Sequence, residues 1–388
     1  MKQMLRIGVI GVGNIGSAHA TALKNGMVAN AALSALCDND PRRLEALKKE
    51  YPSVPLFKDS DELLKSDTVD AVVVSTPHYD HPVIALNAFR HGLHVLSEKP
   101  VGVFCQNVRE AVNLAKASGK VYAVMFNQRT NPLYRRAYDI VQKGELGCLK
   151  RTLWTVTNWY RKDAYYASSA WRATWSGEGG GVLMNQAPHN LDLWQWICGM
   201  PTSVRAECRT RFHDIEVEDE ATILARYANG AEGIFITSTG DYPGSNRLEI
   251  SGTKGALIIE NGTLTHYKAA IDEREFCKTV DAVENKIDTV VYKDDGTGGH
   301  ICVLQNFVRA VLFGETPVAT AEEALNELTL ANAAYLSAWK NQTVSLPFSD
   351  DVYLTLLKEK IENSQKKSPL SEEKNKDGDY MDRWRVKW

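Results

Sequence analysis

Residues 5–10 (LRIGVI) form a short apolar run that ends in glycines, after which Ile15, Ala18, Ala22 and Leu23 recur at helical spacing and stop at Gly26. The pattern predicts strand, turn, helix. It then repeats. Residues 32–36 read as a strand, and Asp40 followed by Pro41 opens a helix with a capping side chain and proline at the first helical position. Residues 69–75 (VDAVVVS) are the unbroken apolar run of a strand buried on both faces. A helix over 82–91 closed by Gly92, a strand over 94–97, a helix over 108–118 and a strand over 121–126 complete this half. The alternation predicts an α/β fold, a parallel, doubly wound sheet of six strands over residues 1–126.

After about residue 127 the texture changes. One helix (133–143) is followed by longer, alternating runs at 151–159, 204–211, 222–227, 234–238, 248–251 and 256–260, with Asn229-Gly230 and Asn261-Gly262 as hairpin-type turns. Further helices are expected at 301–313 and 321–339. Residues 127–363 therefore read as an α+β domain with a large, mainly antiparallel open sheet. Residues 364–388, charged and ending in RWRVKW, read as a peripheral arm. At 388 residues, two domains also suit the size limit on single cores, about 250 to 300 residues.

Composition removes several function classes. The net charge of −3 comes from 45 basic and 48 acidic residues spread along the chain, so no domain-wide basic field exists to hold nucleic acid or an anionic membrane. No apolar run approaches the roughly 20 residues that span a bilayer, and the chain enters a strand directly after its start, which predicts a cytoplasmic protein. The seven cysteines are scattered without a CxxC pair, and no metal site is expected.

Gly11-Val12-Gly13-Asn14-Ile15-Gly16 fits GxGxxG between a strand and a helix. The first glycine makes the turn, the second lets backbone approach a pyrophosphate, and the third packs helix on strand. Asp38 ends the next strand, where a carboxylate accepts hydrogen bonds from the adenosine ribose. Together these predict a Rossmann-type dinucleotide site. An acid at 38 repels a 2′-phosphate and favours NAD, while Arg42 and Arg43 close behind leave NADP open.

Ser75-Thr76-Pro77-His78 and Glu98-Lys99-Pro100 stand at the carboxyl ends of later strands, in the crevice where such sheets bind ligands. A lysine there, shielded from water beside a cationic nicotinamide, has a lowered pKa suited to proton transfer; a surface pair with Glu98 is the plainer alternative. The second half contributes Gly177-Glu178-Gly179-Gly180-Gly181 and then Asn185-Gln186-Ala187-Pro188-His189-Asn190-Leu191-Asp192. Pro188 suits a first helical turn, with His189 near the helix start as an acid/base candidate or a structural histidine. Asn185 is equally placed to cap that helix. Gly179 to Gly181 would allow close approach of substrate or cofactor, or simply form a tight loop. Upstream, Tyr160, Arg161, Tyr165, Trp171 and Arg172 belong to an aromatic and polar tract suited to binding a polyol, or else to sheet-face packing or a subunit interface.

These pieces resemble the glucose-fructose oxidoreductase / inositol dehydrogenase (Gfo/Idh/MocA) family over roughly residues 4 to 345: GVGNIGSAH, Asp38, STPHYDH, EKP at Glu98-Lys99-Pro100 and GGGVLMNQAPHNLDL occur in family order. The resemblance implies that Lys99 and His189 flank the substrate carbon exchanging hydride with nicotinamide, and that Asp192, the acid of the family's HxxD pattern, lies with Asn185 among the substrate-binding residues. Many members carry aspartate four residues before the histidine, where this chain has Asn185, which can hydrogen-bond a hydroxyl but take no proton. The implied function is reversible oxidation of a secondary hydroxyl on a sugar, cyclitol or glycoside. Two other functions fit the same fold: an NAD-dependent glycosidase that oxidises C3 transiently and eliminates a leaving group, and a non-catalytic dinucleotide sensor. A homo-dimer or homo-tetramer is expected, because an open sheet must cover its second face.

Overall fold

The structure, a computed structural model, describes residues 4–280 and 282–365. Strands β1 (Leu5–Ile10), β2 (Ala31–Cys37), β3 (Leu56–Phe57), β4 (Ala71–Val74), β5 (His94–Ser97) and β6 (Tyr122–Val124) pair in parallel in the order β3-β2-β1-β4-β5-β6. Two-residue β3 is too short for a periodic run to mark it in the sequence. The direction of winding reverses between β1 and β4, which opens a crevice at their carboxyl ends, where the glycine turn and Ser75 follow.

Both faces of this sheet are buried. Ile7, Val9, Ala71 and Val73 face one cluster, and the alternate residues Ile10, Val72 and Val74 face the other. The first face is covered by helix Asn14–Lys24 and by Val303, Leu304, Phe307 and Val308 of helix His300–Phe313, which lies on the first sheet although it follows most of the second one in sequence. The other face runs without interruption into the core of the second sheet.

That second sheet has nine strands. They are β7 (Leu149–Val156), β8 (Ser203–Arg209), β9 (Glu220–Arg226), β10 (Glu232–Ser238), β11 (Asn246–Gly252), β12 (Gly255–Glu260), β13 (Thr263–Ala269), β14 (Ile287–Lys293) and β15 (Val344–Ser345), in the order β14-β13-β12-β11-β7-β10-β9-β8-β15. Every pair is antiparallel except β7 with β10, which makes the sheet mixed. Asn261 and Gly262 both take positive φ (51° and 71°) between β12 and β13, as a primed hairpin turn requires. The runs now occupied by β13, β14 and β15 carried no strong alternation: β14 is largely exposed, and β15 has two residues.

Helices Pro132–Gln142, Pro188–Cys198 and Ala321–Lys340 lie against one face of this sheet. The opposite face leaves Leu224, Ile287 and Val291 about half exposed. Among the described residues no helix is long and apolar enough to cross a membrane, and no His/Cys/Asp/Glu group could hold a metal. The arm expected over 364–388 lies, from residue 366 onward, outside the described residues.

Candidate active site

The three glycines of the turn after β1 have different jobs. Gly11 takes φ +84°, and a Cβ there would sit 2.8 Å from the Ser75 carbonyl; at Gly16 a Cβ would be 2.0 Å from the Gly11 carbonyl oxygen. Both are required by the protein's own packing. At Gly13 the only near atom is a guanidinium nitrogen of Arg43 at 3.1 Å, and the backbone (φ −76°) suits any residue. Gly13 starts helix Asn14–Lys24 without a side-chain cap, so the first-turn amides at Asn14 and Ile15 remain available to an anion.

Asp38 is nearly buried and already aligned: its carboxylate accepts from the Val12 amide at 2.9 Å and the Asp40 amide at 3.0 Å. Arg42 pairs with Asp40 at 3.0 Å, and Arg43 donates to the Val12 carbonyl at 3.2 Å. On the neighbouring strand end, the hydroxyls of Ser75 and Thr76 are buried with no hydrogen-bond partner, an arrangement that buried polar groups avoid unless something else completes them. The space at Gly13, the uncapped helix and these two hydroxyls fit a dinucleotide. Gly13→Ala is therefore expected to fold and melt as the wild type but to bind NAD about tenfold or more weakly, a loss of about 1.4 kcal/mol by titration calorimetry. Unchanged affinity would place the pyrophosphate elsewhere.

Several residues converge beyond this cradle. Lys99 Nζ donates to the Asn185 main-chain carbonyl at 2.7 Å, which brings the EKP motif onto the segment preceding His189. Burial lowers the Lys99 pKa, opposed by Glu98 and Glu178 and reinforced by Arg172 and Arg161. His189 sits in the first turn of helix Pro188–Cys198, 3% exposed, with its ring edge-on to Phe126 at 5.9 Å. Both of its ring nitrogens are buried and unpartnered. Burial first, then the charges of Lys99 and His300, hold this imidazole well below its usual pKa and thus neutral at pH 7.

Glu98 is buried against His19, Oε1 to Nε2 at 2.8 Å. Burial alone would raise its carboxyl, but the hydrogen bond and charge of His19, with His300 and Lys99, hold it at about 2. His19 and His300 are a pair that no local pattern announced; their rings lie 6.0 Å apart. His81 was also missed, and its two nitrogens link the Thr76 and Pro100 carbonyls, each at 2.8 Å, tying both crevice motifs together.

The aromatic tract divides. Tyr165 is the hub: its hydroxyl accepts from Arg172 Nη1 (2.7 Å), Asn185 Nδ2 (3.2 Å) and Gln186 Nε2 (3.1 Å). Arg172 also stacks on Trp171, and Arg161 lies over Tyr165 and Trp159 with a buried, unpartnered Nε. Tyr160 stands at the rim against the exposed Tyr242.

Two expectations change, for Asp192 and His78, and two open alternatives are decided, for Asn185 and the triglycine. Asp192 does not line the pocket: it is fully buried, and both carboxylate oxygens are taken by Arg129, at 2.7 and 2.8 Å, so it braces the helix of His189 from behind. His78, expected on the cofactor, is 4% exposed, gives Nδ1 to the Glu178 carbonyl at 2.9 Å and packs on Trp171; it joins the two halves. Asn185 caps nothing, since it ends helix Val182–Asn185, and Ala187 stands at the start of the next helix. Nor do Gly179, Gly180 and Gly181 open the backbone to a ligand, because a Cβ on them would strike Val103, Tyr335 and the Glu218 carbonyl at 2.3, 2.2 and 1.8 Å. Glu218 in turn accepts from the Gly181 and Leu183 amides and from the Tyr335 hydroxyl, pinning the loop from below.

Residues 5–126 match the model of an oxidoreductase family's NAD-binding Rossmann fold, and residues 134–258 match the GFO/IDH/MocA C-terminal domain. The chain belongs to the Gfo/Idh/MocA family. Similar proteins of this family include the myo-inositol 2-dehydrogenase of Thermotoga maritima (25% identical; 88% of this chain, 98% of that one). Another is the scyllo-inositol 2-dehydrogenase (NAD+) of Bacillus subtilis (26% identical; 89% and 97%). The WlbA dehydrogenase of Bordetella pertussis, solved with NADH and UDP-GlcNAcA, has a TM-score of 0.75 at 27% identity and covers 89% of this chain and 100% of its own. The protein is thus an enzyme, an NAD-dependent oxidoreductase of the Gfo/Idh/MocA type.

Proposed function

We propose that this oxidoreductase reversibly converts a secondary hydroxyl of a sugar, cyclitol or glycoside into a ketone. The observation that carries the reading is His189, a neutral imidazole with both ring nitrogens buried and unpartnered beside Lys99. Bound NAD supplies the hydride acceptor. Of the three protons on a charged Lys99 Nζ, one is given to the Asn185 carbonyl and two remain for a substrate oxygen. A neutral His189 nitrogen can accept the hydroxyl proton as the oxygen gains negative charge, which Lys99 offsets. Arg161, Arg172, Trp171 and the Tyr165 hydroxyl offer apolar faces and donors matched to a ring with hydroxyls. The relatives named above, two inositol dehydrogenases and a dehydrogenase solved with NADH and UDP-GlcNAcA, support this substrate class. The half-exposed sheet face with Leu224 and Val291 supports a homo-dimer or homo-tetramer closed over it.

Purified protein with NAD and a panel of cyclitols, free sugars and glycosides, followed at 340 nm and by product mass, tests the reading. The expected outcome is one NADH per ketone formed. Aglycone released without net NADH would make the protein an NAD-dependent glycosidase, and bound NAD with no turnover across the panel would make it a dinucleotide sensor.

A further inference from the structure

Glu178 lies inside the glycine run, where nothing in the spacing marked it out. It is 2% exposed. Its Oε2 accepts from the Ala173 amide at 2.6 Å, its Oε1 accepts from Asn185 Nδ2, and Arg172 Nη1 stands 3.8 Å from Oε1. Every one of these neighbours is a donor, which matches the charged carboxylate. Burial raises its carboxyl, while Arg172 and the bonds from Ala173 and Asn185 oppose that. Through its own carbonyl it also receives His78 Nδ1. One residue thereby links the Ser75–His78 crevice, the loop of Trp171 and Arg172, and the helix end whose carbonyl holds Lys99.

The other carboxylates near this centre are committed or silent. Glu98 faces Lys99 from its own strand end but is bonded to His19, and Asp192 is locked by Arg129. Glu327, on helix Ala321–Lys340, is fully buried with both oxygens unpartnered, and burial, which disfavours its charged form, raises its pKa well above the usual carboxyl value. The remaining charged or titratable neighbours of Lys99 are Arg161, Arg172, His78, His189 and His300, with the three histidines held neutral by burial. Against two arginines, Glu98 and Glu178 are the balancing charges on Lys99, and only Glu178 is also bonded to Asn185.

We infer that Glu178 is the positioning residue of the Lys99 centre: it clamps the Asn185 side chain, whose main-chain carbonyl aims Nζ, and supplies the anionic charge that no side chain at position 185 provides. The inference rests on the functional reading above. Glu178 acts through Asn185 and Lys99 and need not touch substrate.

Lys99 itself reports the effect without a substrate. With NAD bound, trace acetylation by acetic anhydride across a pH series, read by mass spectrometry on the Lys99 peptide, yields the pH at which Nζ is half protonated. Glu178→Gln is expected to lower that midpoint by roughly one unit, a tenfold change in its protonation equilibrium. Glu178→Asp, which keeps the charge, should stay near the wild type, and Glu178→Gln/Asn185→Asp, which moves the charge onto position 185, should recover most of the shift. A Glu178→Gln midpoint equal to the wild type, or no recovery in the double variant, overturns the inference while leaving the functional reading intact. Full turnover by Lys99→Ala would sink both.

Discussion

Lys99→Ala is expected to lower turnover on the best polyol of the panel by about 10³-fold, the upper end of the usual loss when a donor that stabilises a developing oxyanion is removed. NAD affinity should stay largely intact. Lys99 contacts the Asn185 carbonyl on the substrate side, whereas the glycine turn, Asp38 and the Ser75 and Thr76 hydroxyls form the cradle without it. Lys99→Arg is the sharper companion, because arginine keeps the positive charge but not the compact ammonium that makes the contact with the Asn185 carbonyl. Arginine should rescue little of the activity. Steady-state rates at 340 nm beside NAD titrations decide the matter, and a Lys99→Ala enzyme retaining more than a tenth of wild-type turnover would contradict the assignment.

Breaking the Arg129–Asp192 pair should produce the largest stability effect. Both side chains are about 1% exposed, and the guanidinium grips the carboxylate through Nε and Nη2 while Nη1 reaches the Val318 carbonyl at 3.3 Å and Glu323 at 3.3 Å. Removing one partner strands a buried charge, a loss of about 3–5 kcal/mol. Arg129→Ala or Asp192→Ala should therefore move the urea midpoint far down. Arg129→Met/Asp192→Leu, which removes both charges and restores apolar volume, should be less destabilised than either single change. A double variant as unstable as the sum of the two singles would show that the pair is not the unit assumed. Because Asp192 lies one turn from His189 on the same helix, the singles should also lose turnover where they still fold.

Much of the fold was legible because it rests on short-range rules. Apolar runs marked β1, β4 and β5, and the Asp40 cap and Pro41 marked their helix: the Asp40 side chain accepts from the Arg42 amide as the cap rule requires. Strands β3 and β15 were not visible, because two residues carry no period. The parallel pairing of β7 with β10 was not visible either, since partner and direction are chosen by the whole sheet.

For the site, the sequence by itself determined the residue types that local geometry demands: a glycine turn in which only glycine fits at 11 and 16, an acid ending the next strand, a lysine at a strand end and a histidine opening a helix. The tertiary structure decided which of the other polar residues meet them. His19 with Glu98 and Arg129 with Asp192 are 79 and 63 residues apart in the chain. Asp192 changed from substrate-binding acid to buried brace, the triglycine resolved as tight packing rather than ligand contact, and Glu178 changed from a loop residue to the partner of Asn185. The reason is physical. Backbone conformation is set by neighbours along the chain, whereas a buried charge takes whichever donor or acceptor the docking of distant elements leaves beside it, and that pairing depends on the packed sheets rather than on spacing.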